Sequence, residues 1–136
     1  MSFVNWKIHK VLWTPDDYTA NSVEAIMNVE IGDVIGPIFS RQITAYNGSG
    51  TDAIIELGDG GDIDRFLDGG EIDETTGGST GSFVRAAGAS GGGYVLYRTH
   101  LYSTADTIDV SFTANTAGTR DAGATEFIIW FARVRP

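Results

Sequence analysis

The sequence predicts an all-β protein, a single-domain antiparallel β-sandwich, and three observations lead to this fold class. Apolar residues recur at every second position along most of the chain, which is typical of strands with one buried face. No segment has the length and periodicity of a stable amphipathic helix. About seven to nine short strands with polar turns between them favour two packed sheets, in either a jelly-roll or an immunoglobulin-like topology.

The clearest predicted strand covers residues 107–113. Ile108, Val110 and Phe112 share one face and the polar residues between them share the other, as expected for a strand with one solvated side. A second alternation precedes the turn signal Gly32-Asp33. Its predicted buried set is Ala25, Met27, Val29 and Ile31.

Near the N-terminus the alternation changes parity, which predicts a β-bulge around His9 and Lys10. The apolar set comprises Val4, Trp6 and Ile8 before the change and Val11 and Trp13 after it.

Three further strand predictions rest on composition. Residues 38–46 and 53–57 flank Asn47-Gly48-Ser49-Gly50, a sequence that favours a tight reversal and therefore predicts a hairpin. Residues 94–102 and 126–134 are rich in aromatic and β-branched side chains. We expect the last strand to be central, because residues 127–131 are apolar at every position and need cover on both faces or a protein interface.

Two glycine-rich stretches, residues 58–81 and 88–93, are predicted to be long surface loops. A short helical turn at residues 64–67 is the only helix that the sequence suggests. A chain of 136 residues fits one domain, residues 1–136.

Composition excludes several classes of function. The formal net charge of -9 opposes direct binding to nucleic acid, which depends on Lys and Arg. The longest apolar run, residues 127–132, is far shorter than a membrane span of roughly 20 residues. Because the chain contains no cysteine, thiolate nucleophiles and thiolate zinc sites are absent.

Nine of the 18 acidic residues fall between Asp52 and Glu74. Asp59, Asp62, Asp64 and Asp68 offer carboxylate oxygens of the kind that calcium prefers, although their spacing does not match an EF-hand. The alternative is a solvated acidic loop with local turns. We predict no cofactor and no metal site, and keep calcium as the competing hypothesis.

No set of catalytic residues is predicted. The two histidines, His9 and His100, lie in predicted strands among apolar groups and are interpreted as structural. Neither Gly78-Ser79-Thr80-Gly81 nor Gly88-Ala89-Ser90-Gly91 has the spacing of a nucleophile elbow, and no lysine follows a glycine cluster as in a phosphate-binding loop. The protein is therefore predicted not to be an enzyme; a hydrolase or lyase that uses Asp59, Asp62 and Asp64 is the least favoured alternative.

Aromatic residues favour either core packing or a binding face. Trp6 and Trp130 align with apolar neighbours and are assigned to the core, whereas Tyr46, Tyr97 and Tyr102 are candidates for an intersubunit surface. The same aromatic residues leave a carbohydrate-binding module or receptor-binding tip open as the alternative function.

Four phrases, taken in order, resemble a group of small tailed-phage virion proteins and cover most of the chain after residue 20. They are Gly32–Ile35 leading to residues 42–46, then residues 57–67, 103–110 and 132–136. The resemblance implies a β-sandwich that assembles on the particle as a head decoration, a fibre base or a tail component. No functional residues carry over from it.

The leading hypothesis is thus a structural protein located in the virion, with a capsid decoration or cement protein as the first choice. It would bind copies of itself, with a trimer as one expected homo-oligomer, and a major capsid protein or another virion protein. Contact with neighbouring subunits would protect strand edges and bury apolar surface that the monomer leaves open.

Overall fold

The computed structural model describes residues 5–17, 20–44, 54–71, 85–86, 95–96, 99–114 and 122–134. Within these ranges the chain forms ten β-strands joined by turns and extended segments. No helix in the same ranges is long and apolar enough to cross a membrane. In chain order the strands are β1 Lys7–Trp13, β2 Ser22–Val29, β3 Asp33–Thr44, β4 Ile54–Asp59, β5 Asp62–Glu71, β6 Arg85–Ala86, β7 Val95–Leu96, β8 His100–Leu101, β9 Asp106–Thr113 and β10 Ala124–Arg133.

The strands form two antiparallel sheets. The front sheet has the order β1-β10-β3-β7, with β8 also paired to β3. The back sheet has the order β2-β9-β4-β5-β6. The predicted all-β sandwich is therefore confirmed, and β10 is central as predicted, because it lies between β1 and β3.

The pairing pattern decides between the two predicted topologies. β1 pairs with β10, β2 with β9, β3 with β8, and β4 with β5. These pairs are nested inside one another, as in a long antiparallel ribbon folded over into two sheets. Consecutive strands β1, β2, β3 and β4 alternate between the sheets. This arrangement is a jelly roll, since an immunoglobulin-like sandwich keeps its first two strands in one sheet.

The space between the sheets is filled by one apolar cluster to which both sheets contribute. Phe127 and Ile129 of β10 and Ile108 and Phe112 of β9 are fully buried. Each such side chain contributes about 1.5–3 kcal/mol relative to its exposed state. The alternation predicted for residues 107–113 is confirmed at its apolar positions, although Ser111 on the opposite face is also buried.

The bulge predicted around His9 is wrong. β1 pairs with β10 in unbroken register from Lys7 opposite Phe131 to Trp13 opposite Thr125. His9 takes an inward position, where its ring Nε2 has a hydrogen-bond partner, the carbonyl oxygen of Ile26 at 3.1 Å. Ile8 consequently points outward and is 51% exposed.

The predicted buried set of β2 is half right. Met27 and Val29 are buried, but Ala25 and Ile31 are exposed. A register shift between Ala25 and Met27 explains the exposure of Ala25, because one extra residue moves the side chains before it to the other face. Ile31 is exposed because it lies beyond the end of β2, in the turn before β3.

The predicted hairpin between residues 38–46 and 53–57 is also wrong. β3 lies in the front sheet and β4 in the back sheet, so the connection at residues 45–53 crosses between sheets. Part of the predicted loop at residues 58–81 is the strand β5, and the predicted helical turn at residues 64–67 is extended within it. The second glycine-rich stretch, residues 88–93, lies outside the described residues.

Candidate functional site

Asp59, at the end of β4, is the centre of a buried polar cluster. Its carboxylate is 5% exposed and accepts hydrogen bonds from the amides of Gly61 (3.0 Å) and Asp62 (2.9 Å) in the β4–β5 turn. The Arg65 Nε donates to Oδ2 at 2.5 Å, and the Tyr102 hydroxyl donates to the same oxygen at 2.9 Å. The sequence Asp59-Gly60-Gly61-Asp62 thus folds as a tight turn held by its own first side chain.

Electrostatics keeps this carboxylate ionised. Burial favours the neutral form of Asp59, but hydrogen bonds from Arg65, Tyr102 and the Gly61 amide outweigh burial and hold the pKa of Asp59 below its usual value. Burial, together with the hydrogen bond to Asp59, raises the pKa of the Tyr102 hydroxyl. The cluster therefore holds a buried anion between a cation and a neutral phenol.

Two of the four candidate calcium ligands, Asp59 and Asp62, are engaged with Arg65. Both oxygens of Asp59 face hydrogen-bond donors, while the Asp62 side chain is 44% exposed and lies 4.0 Å from Arg65. Asp64 has another interaction, and the side chain of Asp68 lies outside the described residues. Among the described residues, no group of three or more His, Asp or Glu side chains is arranged to hold a metal ion. The calcium hypothesis stays untested by this geometry.

A second buried carboxylate, Asp33, lies at the opposite end of the β2–β3 turn from Glu30. Arg133 donates from Nε to Asp33 Oδ1 (2.8 Å) and from Nη2 to Oδ2 (3.2 Å), and the Glu30 amide donates to Oδ2 (2.8 Å). Arg133 also forms an ion pair with Glu30 at 2.8 Å. The hydrogen bonds from Arg133 outweigh burial and lower the pKa of Asp33.

Gly32, in the same turn, is required by its backbone. Its φ of +87° is in the left-handed region, and an added Cβ would lie 2.7 Å from the carbonyl oxygen of Val134. The Gly32 amide donates to Tyr102 O, and the Val134 amide donates to Gly32 O. The turn is therefore joined by its backbone to both β10 and the segment after β8.

Tyr102 connects the two carboxylate clusters. Its amide donates to the carbonyl of Asp33 at 2.8 Å, and its hydroxyl donates to Asp59 in the other sheet. The assignment of Tyr102 to an intersubunit surface is therefore wrong, because the residue is only 4% exposed. Tyr46 and Tyr97, the other two candidates, lie outside the described residues.

Both histidines occupy structural positions, as the sequence indicated. His9 contacts the Ile26 carbonyl, and His100 packs edge-on against Tyr102 and Phe66, with ring centroids 4.7 and 6.4 Å away. A cavity of about 230 Å³ lies near the start of β1 and the end of β10. Its lining residues among the described ones are Asn5, Lys7, Phe131 and Arg133, which supply no carboxylate.

The outer face of the front sheet carries a group of neighbouring apolar side chains. Ile8 and Leu12 of β1 are 51% and 59% exposed. They lie beside residues of β10 and β3 on the same face, since directly paired residues of antiparallel strands share a face. We call this set the front patch; it consists of Trp6, Ile8, Leu12, Phe39, Ile128 and Trp130.

Trp6 belongs to the front patch because of Gly36. An added Cβ at Gly36 would lie 2.7 Å from the Trp6 ring, so the absence of a side chain there lets the indole lie against the sheet. Trp6 is 39% exposed and Trp130 is partly buried. The assignment of Trp6 and Trp130 to the core is therefore wrong, because both lie on the outer face. Trp13, which donates to Glu24 at 2.7 Å, is a true core residue.

A row of three charged residues shares the outer face with the front patch, with Lys10 directly opposite Ile128 and Glu126 between Leu12 and Arg41. Glu126 of β10 pairs with Arg41 of β3 at 2.9 Å and with Lys10 of β1 at 3.5 Å. The Glu126 side chain is 15% exposed, while Arg41 and Lys10 are 46% and 58% exposed. Two cations and one anion give this row a net charge of +1 in a chain whose net charge is -9.

The back sheet has the opposite character on its outer face. Its strands β2, β9 and β4 contain no Lys or Arg. Their outward positions carry Glu56, Asp109, Thr107 and Asn28, with Val23 as an exposed apolar residue. The outer face formed by β2, β9 and β4 is thus polar and acidic, whereas the outer face of the front sheet combines apolar side chains with the cations Lys10 and Arg41.

Comparison with known proteins gives a result at the level of structure. No protein-family model and no curated protein sequence matches the chain. The chain is similar to a chain in the acidic stable capsid structure of Helicobacter pylori bacteriophage KHP30, with a TM-score of 0.62 and 7% identity over 93% of this chain and 86% of that chain. It is also similar to a chain in the capsid asymmetric unit of cyanophage Pam1, with a TM-score of 0.54 and 14% identity over 98% and 89% of the two chains. The shared property is the fold.

Proposed function

We propose that this chain is a non-enzymatic structural protein of a tailed-phage particle, most specifically a capsid decoration protein or a related head component. One observation carries the proposal. Both solved structures described above come from phage capsids, and in each the likeness extends over more than nine-tenths of this chain. The order of sequence phrases that resembles phage virion proteins supports the same assignment independently.

The surface properties of the sandwich support a role in assembly. The outer face of the front sheet groups exposed apolar side chains with charged ones, a composition that is typical of protein contact sites. The polar groups with shifted pKa values, Asp33, Asp59 and Tyr102, are already paired with one another or with arginines. They tie the sandwich together and leave the surface as the feature available for function.

The carbohydrate-binding alternative loses one of its candidate residues, because Tyr102 is buried, while Tyr97 lies outside the described residues. Trp6 is exposed and remains a candidate sugar-binding residue, which binding to a glycan array would test.

The test is the composition of purified particles. Mass spectrometry of density-purified virions should detect the chain, and a particle reconstruction at side-chain resolution should place its jelly roll at symmetric positions on the head. Detection of the chain only in the particle-free fraction of the lysate would refute the proposal.

A further inference from the structure

We infer that the front patch is the surface by which this protein docks onto a different particle protein, whose contacting surface is apolar and carries carboxylates. This inference rests on the proposed function and adds the docking face and the chemistry of the partner. It starts from the difference between the outer faces of the two sheets.

Burial in an assembly explains the composition of the front patch. Ile8, Leu12 and Trp6 remain 39–59% exposed although they lie on a regular part of the sandwich. Aromatic and aliphatic side chains surrounded by a few charged groups are the usual composition of an interface centre and its rim. Glu126 and Arg41 lie at one end of the patch, and Lys10 lies within it, between Ile8 and Leu12. A partner can reach both cations, because Lys10 and Arg41 are exposed.

The net positive charge of the Lys10–Glu126–Arg41 row favours a partner surface that carries carboxylates. Arg41 and Lys10 share Glu126, so one positive charge of the row is not compensated within it. A partner carboxylate beside Lys10 or Arg41 would compensate this charge. Complementary charges at an interface fix the register of the two proteins and raise the rate of association.

A second copy of this chain does not fit the same surface. Front-to-front packing would bring two rows of net positive charge together. Front-to-back packing would match the cationic face with the acidic face. Because the two faces of a sandwich are nearly parallel, this contact would repeat from copy to copy without closing and would give an open filament. Homo-oligomers, if formed, would therefore use other surfaces.

The size of the patch agrees with docking in a multi-contact assembly. Three strands about 4.8 Å apart and seven residues long give a footprint on the order of 200–300 Å². A stable two-protein complex usually needs about 800 Å² on each partner. The front patch is thus suited to a particle, where several contacts act together.

The experiment compares matched variants on the two faces. A phage with the gene deleted is propagated in cells that supply wild-type chain, Ile8→Asp, Ile8→Thr or the control Val23→Asp. Val23 is 59% exposed on β2, the edge strand of the back sheet, and so matches Ile8 on the edge strand of the front sheet. Ile8→Thr keeps a β-branched residue and guards against loss of the strand. Circular dichroism of each purified variant checks folding.

Both Ile8 variants should lower the amount of chain per purified particle, Ile8→Asp by at least about tenfold because a buried unpaired carboxylate is costly. Val23→Asp should be incorporated like the wild type. Arg41→Gln should lower incorporation several-fold, and more strongly at low salt than at high salt.

The outcomes separate the two proposals. Absence of the wild-type chain from particles would refute both the proposed function and this inference. Normal incorporation of folded Ile8→Asp would refute the inference and leave the function standing. A change in the oligomeric state of purified Ile8→Asp, measured by light scattering, would show that the patch binds a second copy. Binding of wild type to a glycan array, abolished by Trp6→Ala, would show a carbohydrate ligand instead.

Discussion

Two buried aspartates, Asp59 and Asp33, are held in different ways at the same end of this sandwich. Asp59 accepts hydrogen bonds from two amides, from Arg65 and from the buried hydroxyl of Tyr102, and the Arg65 side chain is only 27% exposed. Asp33 depends mainly on Arg133, whose side chain is 41% exposed and also pairs with Glu30. The difference indicates that the contribution of a buried carboxylate to the free energy of unfolding depends on how completely its partners are buried with it.

The largest effect should come from removal of each carboxylate. Asp59→Ala should lower the free energy of unfolding by about 3 kcal/mol, and Asp33→Ala by about 2 kcal/mol, because the first leaves more buried donors unpaired. Urea denaturation measures both. Asp62→Ala, in the same turn but exposed, is the control and should change stability by less than about 0.5 kcal/mol. Equal losses at Asp33 and Asp59 would contradict the comparison.

Tyr102→Phe should cost about 1.5 kcal/mol, since it removes one buried hydrogen bond to a charged group and keeps the ring that packs on His100. A double-mutant cycle with Asp59→Ala isolates this bond. The loss should nearly vanish when Asp59 is already absent and should persist in the Asp33→Ala background. An identical loss in all three backgrounds would mean that the hydroxyl acts elsewhere.

Acid should weaken both clusters. The pKa values of Asp33 and Asp59 are lowered by folding, so their contribution to stability is complete above the unfolded pKa of about 3.9 and is lost as the pH falls below it. Calorimetric melting temperatures between pH 6 and pH 2 should therefore fall most steeply below about pH 4. Asp33→Asn and Asp59→Asn should each flatten that fall, and a wild-type slope in both variants would exclude the two carboxylates as its source.

The smallest effect is expected from calcium. Because the oxygens of Asp59 face Arg65 and Tyr102, millimolar calcium should shift the melting temperature no more than magnesium at the same ionic strength. A specific calcium-induced rise that Asp62→Ala or Asp64→Ala abolishes would revive the calcium hypothesis for this loop.

The strands that could be predicted from the sequence are those with an uninterrupted pattern of apolar residues. β9 was predicted correctly at its apolar positions because Ile108, Val110 and Phe112 alternate without interruption. β10 was predicted to be central because of its unbroken apolar run. β5 was missed because Asp62–Glu71 contains four acidic residues and two glycines, a composition with low intrinsic strand preference that pairing with β4 overrides.

Topology and the polar clusters depend on pairs that are distant in sequence. Asp33 and Arg133 are 100 residues apart, and Asp59 and Tyr102 are 43 apart, so no local spacing predicts their contact. One signal was available: Asp59-Gly60-Gly61-Asp62 is a two-glycine turn between acidic residues that predicts a hairpin. The predicted buried faces of β1 and β2 were wrong for a simpler reason. A polar residue such as His9 or Glu24 can face inward when a backbone carbonyl or an indole is present as its hydrogen-bond partner.

The pairing of β1 with β10 joins Lys7 to Phe131, almost the full length of the chain. During synthesis β1 cannot pair with β10 until all the strands between them have been made. Closing so long a loop is slow, and topologies dominated by distant contacts fold on the slow side of the range for small proteins. Loss of either terminal strand would open the front sheet and expose the edge of the other.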